Sequence, residues 1–85
     1  MADRIIHHDP GFRFWTEVDG DVAYLAYRTV DDHTVDFVST WTPPASRGRG
    51  IATAITRHAL AWAREHDLTV IPTCSHVRHV LADSR

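Results

Sequence analysis

Six consecutive residues, Arg47-Gly48-Arg49-Gly50-Ile51-Ala52, combine the types and spacing best suited to chemistry in this chain. The two glycines lack Cβ atoms, so the backbone there can curve and let a ligand come close. The two arginines supply permanently charged, forked donors that match phosphate oxygens. A helical apolar pattern follows directly, so the segment stands at a helix start. Backbone N–H groups there have no partner inside the helix, and the helix dipole is positive at that end. Phosphate suits such a position, and Ala52 is small enough to allow close approach. The plainer alternative is a glycine-rich turn that only begins a helix. The Walker A pattern and the GxGxxG dinucleotide spacing are both absent.

Cys74 is the second candidate. It is the single cysteine, so no internal disulfide can form, which fits a reducing compartment. A thiol at the start of the last predicted helix would have a lowered pKa. The alternative is a small buried cysteine that packs as an apolar residue. Seven histidines raise the question of zinc. His58 and His66 share a helix face, and Cys74-x-His76-x-x-His79 has ligand-like spacing. That spacing lacks a fourth ligand nearby, so no metal site is expected. His7-His8 reads as a loose N-terminal pair.

Around these residues, alternation marks three strands. Phe12–Val18 has Phe12, Phe14, Thr16 and Val18 on one face. Asp19-Gly20 signals a tight hairpin. Asp21–Val30 follows, with Val22, Tyr24 and Ala26 opposing Ala23, Leu25 and Tyr27. After a turn at Asp31-Asp32, His33–Trp41 places Val35, Phe37, Ser39 and Trp41 on a common face. Pro43-Pro44 ends this antiparallel meander. Ile51 to His66 is helical, with Ile51, Ile55, Ala59 and Trp62 on its apolar stripe. Asp67 breaks it, Leu68–Ile71 suits a short buried strand, and Ser75 is a candidate cap for a last helix containing Val77, Val80 and Leu81.

The order is β-β-β-α-β-α, an α+β fold in which the fourth strand pairs in parallel with the third through the crossover helix. The 85 residues suit one small domain with a modest core. No apolar run approaches the ~20 residues of a membrane span. Met1–Pro10 does not read as a signal peptide, so the cytoplasm is the expected location. All nine cationic residues are arginine, yet the formal net charge is −2. That balance argues against a nucleic-acid partner working through Arg47, Arg49 and Arg57. Trp15, Trp41 and Trp62 read as core or sheet-face residues. Trp41, just before the glycine loop, is also positioned to flank a ligand.

Arg47-x-x-Gly50-x-Ala52 resembles the Q/R-x-x-G-x-G/A signature of the GNAT superfamily of acetyl-CoA-dependent N-acetyltransferases. The likeness is closer to its minimal, single-domain branch. Pro43-Pro44, Arg47 to Ala52, Ala59-Leu60, Ala63 and Pro72-Thr73-Cys74 match that branch in order and spacing, over roughly Tyr24 to Val80. The resemblance implies a GNAT-like fold and acetyl-CoA as cofactor. It implies that Ser39, Thr40, Trp41 and Thr42 pair their main chain with the pantetheine arm. It further implies that Arg47, Gly48, Arg49, Gly50, Ile51 and Ala52 hold the pyrophosphate through their N–H groups. The thioester would then lie near Cys74, between the third and fourth strands.

The expected reaction is acetyl transfer to a primary amine of a small molecule or protein. Many full-length relatives use a carboxylate base on the third strand and a tyrosine acid near the last helix. No tyrosine follows Tyr27 here, and Asp36 alternates away from Phe37. Cys74 is therefore the candidate catalytic residue, as proton donor to the departing thiolate or as nucleophile. His76 or His79 is a candidate coenzyme contact or proton relay. The alternative from another class is a non-catalytic acyl-CoA-binding module.

Overall fold

The computed structural model describes residues 5–83. Met1 to Arg4, part of the polar N-terminal stretch, lie outside the described residues, as do Ser84 and Arg85. Five strands form one sheet in the order β1 (His7–Asp9), β2 (Arg13–Val18), β3 (Asp21–Asp31), β4 (Thr34–Trp41) and β5 (Thr69–Ile71). The first four pair antiparallel, and β5 pairs parallel to β4. Helix α1 (Ile51–Glu65) makes the crossover, and α2 (Ser75–Asp83) follows β5. The meander, crossover helix, parallel strand and final helix agree with the expected GNAT-like α+β order. The difference is β1, an additional strand at the sheet edge.

The β2–β3 hairpin follows from its turn. Asp19 and Gly20 have φ of 52° and 82°, the pair of positive values that matches strand twist in a two-residue loop. Phe14, Thr16 and Val18 of β2 and Ala23, Leu25 and Tyr27 of β3 face the helices and are buried. Phe12 departs from the expected face. It is 59% exposed because a tight turn, closed by its N–H on the Asp9 carbonyl, precedes β2.

His7 and His8 are not loose. His7 stacks on Trp15 at 4.2 Å and His8 on Phe14 at 4.0 Å. His8 Nε2 lies 2.6 Å from the Tyr27 hydroxyl, whose oxygen also accepts the Gly11 N–H at 2.8 Å. Burial pushes the Tyr27 phenol up in pKa, against the Gly11 contact. The phenol therefore keeps its proton, and its O–H is placed to donate a hydrogen bond to the neutral imidazole.

Burial first, then the nearby His58 and His66, lower the His8 pKa from the ordinary 6.5, against a raising effect of Asp9. The unfolded chain thus binds a proton at this ring more readily than the folded chain. The contribution of neutral His8 to stability is complete above pH 6.5 and declines as pH falls toward the lower folded value. Thermal melts are expected to drop below pH 6.5 more steeply in the native chain than in His8→Phe. Parallel melting curves would remove His8 as the cause.

The register of β4 also departs from simple alternation. Ala26 pairs with Ser39 but Tyr27 with Phe37, so Val38 is an extra, bulged residue. A bulge shifts all later side chains to the other face. Val35 and Phe37 are buried under the helices, but Ser39 and Trp41 turn to the open face. Thr40, paired with Leu25, turns inward instead.

Helix α1 buries Ile51, Ile55, Thr56, Ala59, Leu60 and Ala63. It ends one residue before the expected His66. The N–H groups of Leu68 and Asp67 bond back to the Ala63 and Arg64 carbonyls, with Asp67 at φ 55°. This is a Schellman closure made on an aspartate rather than the usual glycine. It turns the chain directly into β5.

Candidate functional site

Pro43 and a single 3-10 turn over Pro44–Ser46 connect β4 to the glycine loop. The Arg47 N–H closes that turn on the Pro44 carbonyl at 3.4 Å, so Arg47 faces any ligand through its side chain. Its Nε donates to the Thr42 carbonyl at 2.9 Å, and its guanidinium stacks 4.8 Å from the Trp41 ring centre. The arginine is thereby fixed as one wall.

Gly48 and Gly50 have φ of 83° and 77°, the left-handed region that costs other residues ~1–2 kcal/mol. Gly50 caps α1, and no side chain bonds to that helix start. The first intrahelical bond, from Ala54 to Gly50, leaves the N–H groups of Ile51, Ala52 and Thr53 without a helical partner. The first turn contains no acidic residue, so its positive field is uncompensated. Apart from the chain neighbours, no atom lies within 4 Å of where a Cβ on either glycine would stand, so both glycines border open space.

That space is a cleft of about 350 Å³ between the end of β4, the loop, the start of α1 and His76. Of the residues expected to bind, it brings together Thr40, Trp41, Thr42, Arg47, Gly48, Gly50, Ile51, Ala52 and His76. Ser39 is outside because the bulge turns it to the open face. Arg49 is also outside, its guanidinium 3.1 Å from Asp19 in the β2–β3 turn. Ser46 and Thr53 line the cleft without having been anticipated. Small polar residues one turn on either side of a glycine loop are the only signal that could have found them.

Cys74 adjoins the cleft through two of its lining residues. Its Sγ lies 3.7 Å from Thr40 Oγ1, and His76 is the second residue of α2. Helix α2 begins at Ser75, so the expected cap on Ser75 is corrected. Cys74 occupies the capping position, because its sulfur is the group the helix N–H donors reach. Burial pushes the thiol up in pKa. The Val77 N–H, the Thr40 hydroxyl and the N–H groups of His76 and Thr40 outweigh it, leaving the thiol below its ordinary value. His76 lines the cleft, and its Nε2 is buried without a hydrogen-bond partner among the described residues.

Asp36 lies on the open face, where Thr73 Oγ1 donates to it at 2.6 Å and Arg28 Nε lies 3.5 Å away. It is committed to the protein itself, away from the cleft. The histidines weighed as zinc ligands are dispersed. His66 Nδ1 is 2.9 Å from the Trp62 carbonyl and His79 is 3.8 Å from Asp83. Among the described residues no three His, Cys, Asp or Glu side chains gather in a metal-holding group. Among them too, no helix is long and apolar enough to cross a membrane.

The sequence has counterparts among known proteins. A family described as GCN5-related N-acetyl-transferase matches residues 12–85. The chain belongs to that family. As a GCN5-related N-acetyltransferase domain it is also similar to proteins called Protein NATD1. It is 32% identical to that of Xenopus tropicalis over 83 residues, 95% of this chain and 76% of the relative. With the Homo sapiens protein it is 32% identical over 83 residues, 95% and 74% of the two chains. With that of Gallus gallus it is 34% identical over 82 residues, 93% and 74%. The family match begins at Phe12, so it takes in the glycine loop, Cys74 and both helices but not β1.

Proposed function

We propose that this domain binds acetyl-CoA and transfers its acetyl group to a primary amine of a small molecule or protein. The observation that carries this is the open start of α1. Unpaired amides, two left-handed glycines and a first turn without acid face a cleft that runs along the end of β4 toward Cys74. The donor set fits a diphosphate. Gly48, Gly50, Ile51 and Ala52 offer main-chain N–H groups, and Arg47 offers its charge. The edge of β4 at Thr40, Trp41 and Thr42 offers main-chain groups to an amide-bearing arm. Ser39 and Arg49 contribute main chain only.

Acetyl-CoA, when bound, supplies an activated acetyl thioester. The protein's part is to hold reactants side by side and to manage a proton. Cys74, stabilised as thiolate by four donors, is suited to accept an acyl group or an amine proton. Its free thiol fits a reducing compartment such as the cytoplasm. The departure from a carboxylate–tyrosine pair favours one alternative, an acyl-CoA-binding module without turnover. Asp36 is engaged by Thr73 and Arg28, and Tyr27 is buried against His8. No nucleic acid or membrane enters the proposal.

The test is ligand-induced stabilisation. Acetyl-CoA at about 100 times its Kd is expected to add about 2.7 kcal/mol to the native state. For a domain of this size that raises Tm by roughly 10–20 °C. An unchanged melt at concentrations far above micromolar ends the proposal.

A further inference from the structure

Strand β5 stops pairing with β4 after Asp36–Ile71. The next three residues, Pro72-Thr73-Cys74, leave the ladder and deliver the thiol to the start of α2. Proline fixes its own φ and donates no bond, so something else must define the turn. Three contacts do. Thr73 Oγ1 donates to Asp36 Oδ1 at 2.6 Å. The Cys74 N–H donates to the Phe37 carbonyl at 2.9 Å. Arg78, from α2, donates to the Pro72 and Thr73 carbonyls at 3.0 and 2.9 Å.

Asp36 is the junction of this set. Its side chain is 10% exposed and its other oxygen is 3.5 Å from Arg28 on β3. A buried carboxylate needs such partners to offset the cost of leaving water. It therefore fastens β3, β4 and the turn to one another on the open side of the sheet. Cys74 lies on the other side, against Thr40. The bulge at Val38 and the divergence at Pro72 occur side by side, one on each strand.

We infer that the Asp36–Thr73 hydrogen bond is a clamp that sets the position of Cys74 over the first amides of α2. Asp36 and Thr73 are positioning residues, acting on the thiol without touching a reactant. Their catalytic importance rests on the transferase reading above, but the clamp itself does not. Without the clamp the turn is free to relax, and Sγ drifts from the N–H groups of His76 and Val77. The thiolate then loses charge-assisted donors and forms at higher pH.

The experiment is the pH dependence of Cys74 alkylation by iodoacetamide, followed by mass spectrometry on the full chain. Thr73→Val removes the donor with little change of shape. Its alkylation midpoint is expected to rise by about half a unit or more, with alkylation at pH 7 slowed by roughly threefold or more. Thr73→Ser, which keeps the hydroxyl, is expected to match the native chain. Asp36→Ala, which removes the acceptor, is expected to move the midpoint in the same direction as Thr73→Val.

Circular dichroism confirms that each variant is folded under the assay conditions. If Thr73→Val does not fold, Asp36→Ala against Thr73→Ser decides. An unchanged midpoint in a folded Thr73→Val or Asp36→Ala chain overturns the clamp, as does an equal shift in Thr73→Ser. No acetyl-CoA enters this assay. A shifted midpoint in a chain that acetyl-CoA does not stabilise would keep the clamp and remove the transferase.

Discussion

Gly50→Trp is expected to abolish acetyl-CoA binding while leaving the domain folded. Gly50 is the cap of α1 at φ 77°, and a Cβ there points into open space. The first atom of an added side chain therefore meets no clash. An indole would extend over the amides of Ile51, Ala52 and Thr53 and fill the approach to them. The folding cost is the left-handed conformation, about 1–2 kcal/mol, which a typical domain of 5–15 kcal/mol tolerates. The binding cost is larger. Hydrogen bonds to charged groups contribute ~1.5–3 kcal/mol each, so losing two weakens binding by roughly a hundredfold or more.

Gly50→Ala separates the two effects, since it brings the same backbone strain with only a methyl group. It is expected to lower stability about as much as Gly50→Trp and to weaken binding far less. Titration calorimetry with acetyl-CoA reads both variants. Unaltered affinity in Gly50→Trp would remove the glycine loop from the binding site.

The contrast between Gly50 and Arg49 shows what a sequence can reveal of such a site. The amide cradle is local. Glycines and arginines at a helix start create it within six residues, and the physics is the same wherever the segment lies in the fold. The direction of Arg49 is not local. It is set by Asp19, thirty positions earlier in another turn, and no pattern within the loop could disclose that.

Strands show the same division. The faces of β2 and β3 follow from alternation because one side packs under the helices. On β4, Val35, Phe37, Ser39 and Trp41 alternate without a break, so the bulge leaves no compositional trace. Its consequence nevertheless reaches the cleft, since it turns Thr40 toward Cys74. β1 was hidden for a related reason. His7 and His8 are polar and short of neighbours in sequence, and their partners Trp15, Phe14 and Tyr27 arrive only when the sheet forms. The fourth strand and last helix were legible because Asp67 and Pro72 are local breakers. The cap was misassigned by one residue because a thiol is an uncommon capping group, and serine, the usual one, stands next to it.

Cys74→Ala is expected to lower the rate of acetyl transfer by roughly 10²–10⁴-fold, the usual range for a positioned proton-transfer group, with the Kd for acetyl-CoA nearly unchanged. The separation follows from placement. Cys74 adjoins the cleft through Thr40 and His76 but does not line it, so the amide cradle remains intact without the thiol. A confounding effect comes from its second role. Removing the capping sulfur from the His76 and Val77 N–H groups is expected to cost about 1 kcal/mol of stability. Cys74→Ser retains an acceptor there and serves as control. It should recover stability but not the rate, because a hydroxyl does not ionise near neutral pH. The native chain's transfer rate is expected to rise with pH and level off below the ordinary thiol value of 9.0, as the lowered Cys74 pKa requires. Single-turnover kinetics with an amine acceptor, run across pH on the three proteins, decides the matter. Equal transfer by Cys74→Ala would make the cysteine a helix cap alone. Tight binding with no transfer by the native chain would make the domain an acyl-CoA carrier, since binding by the amides of α1 does not depend on chemistry at the thiol.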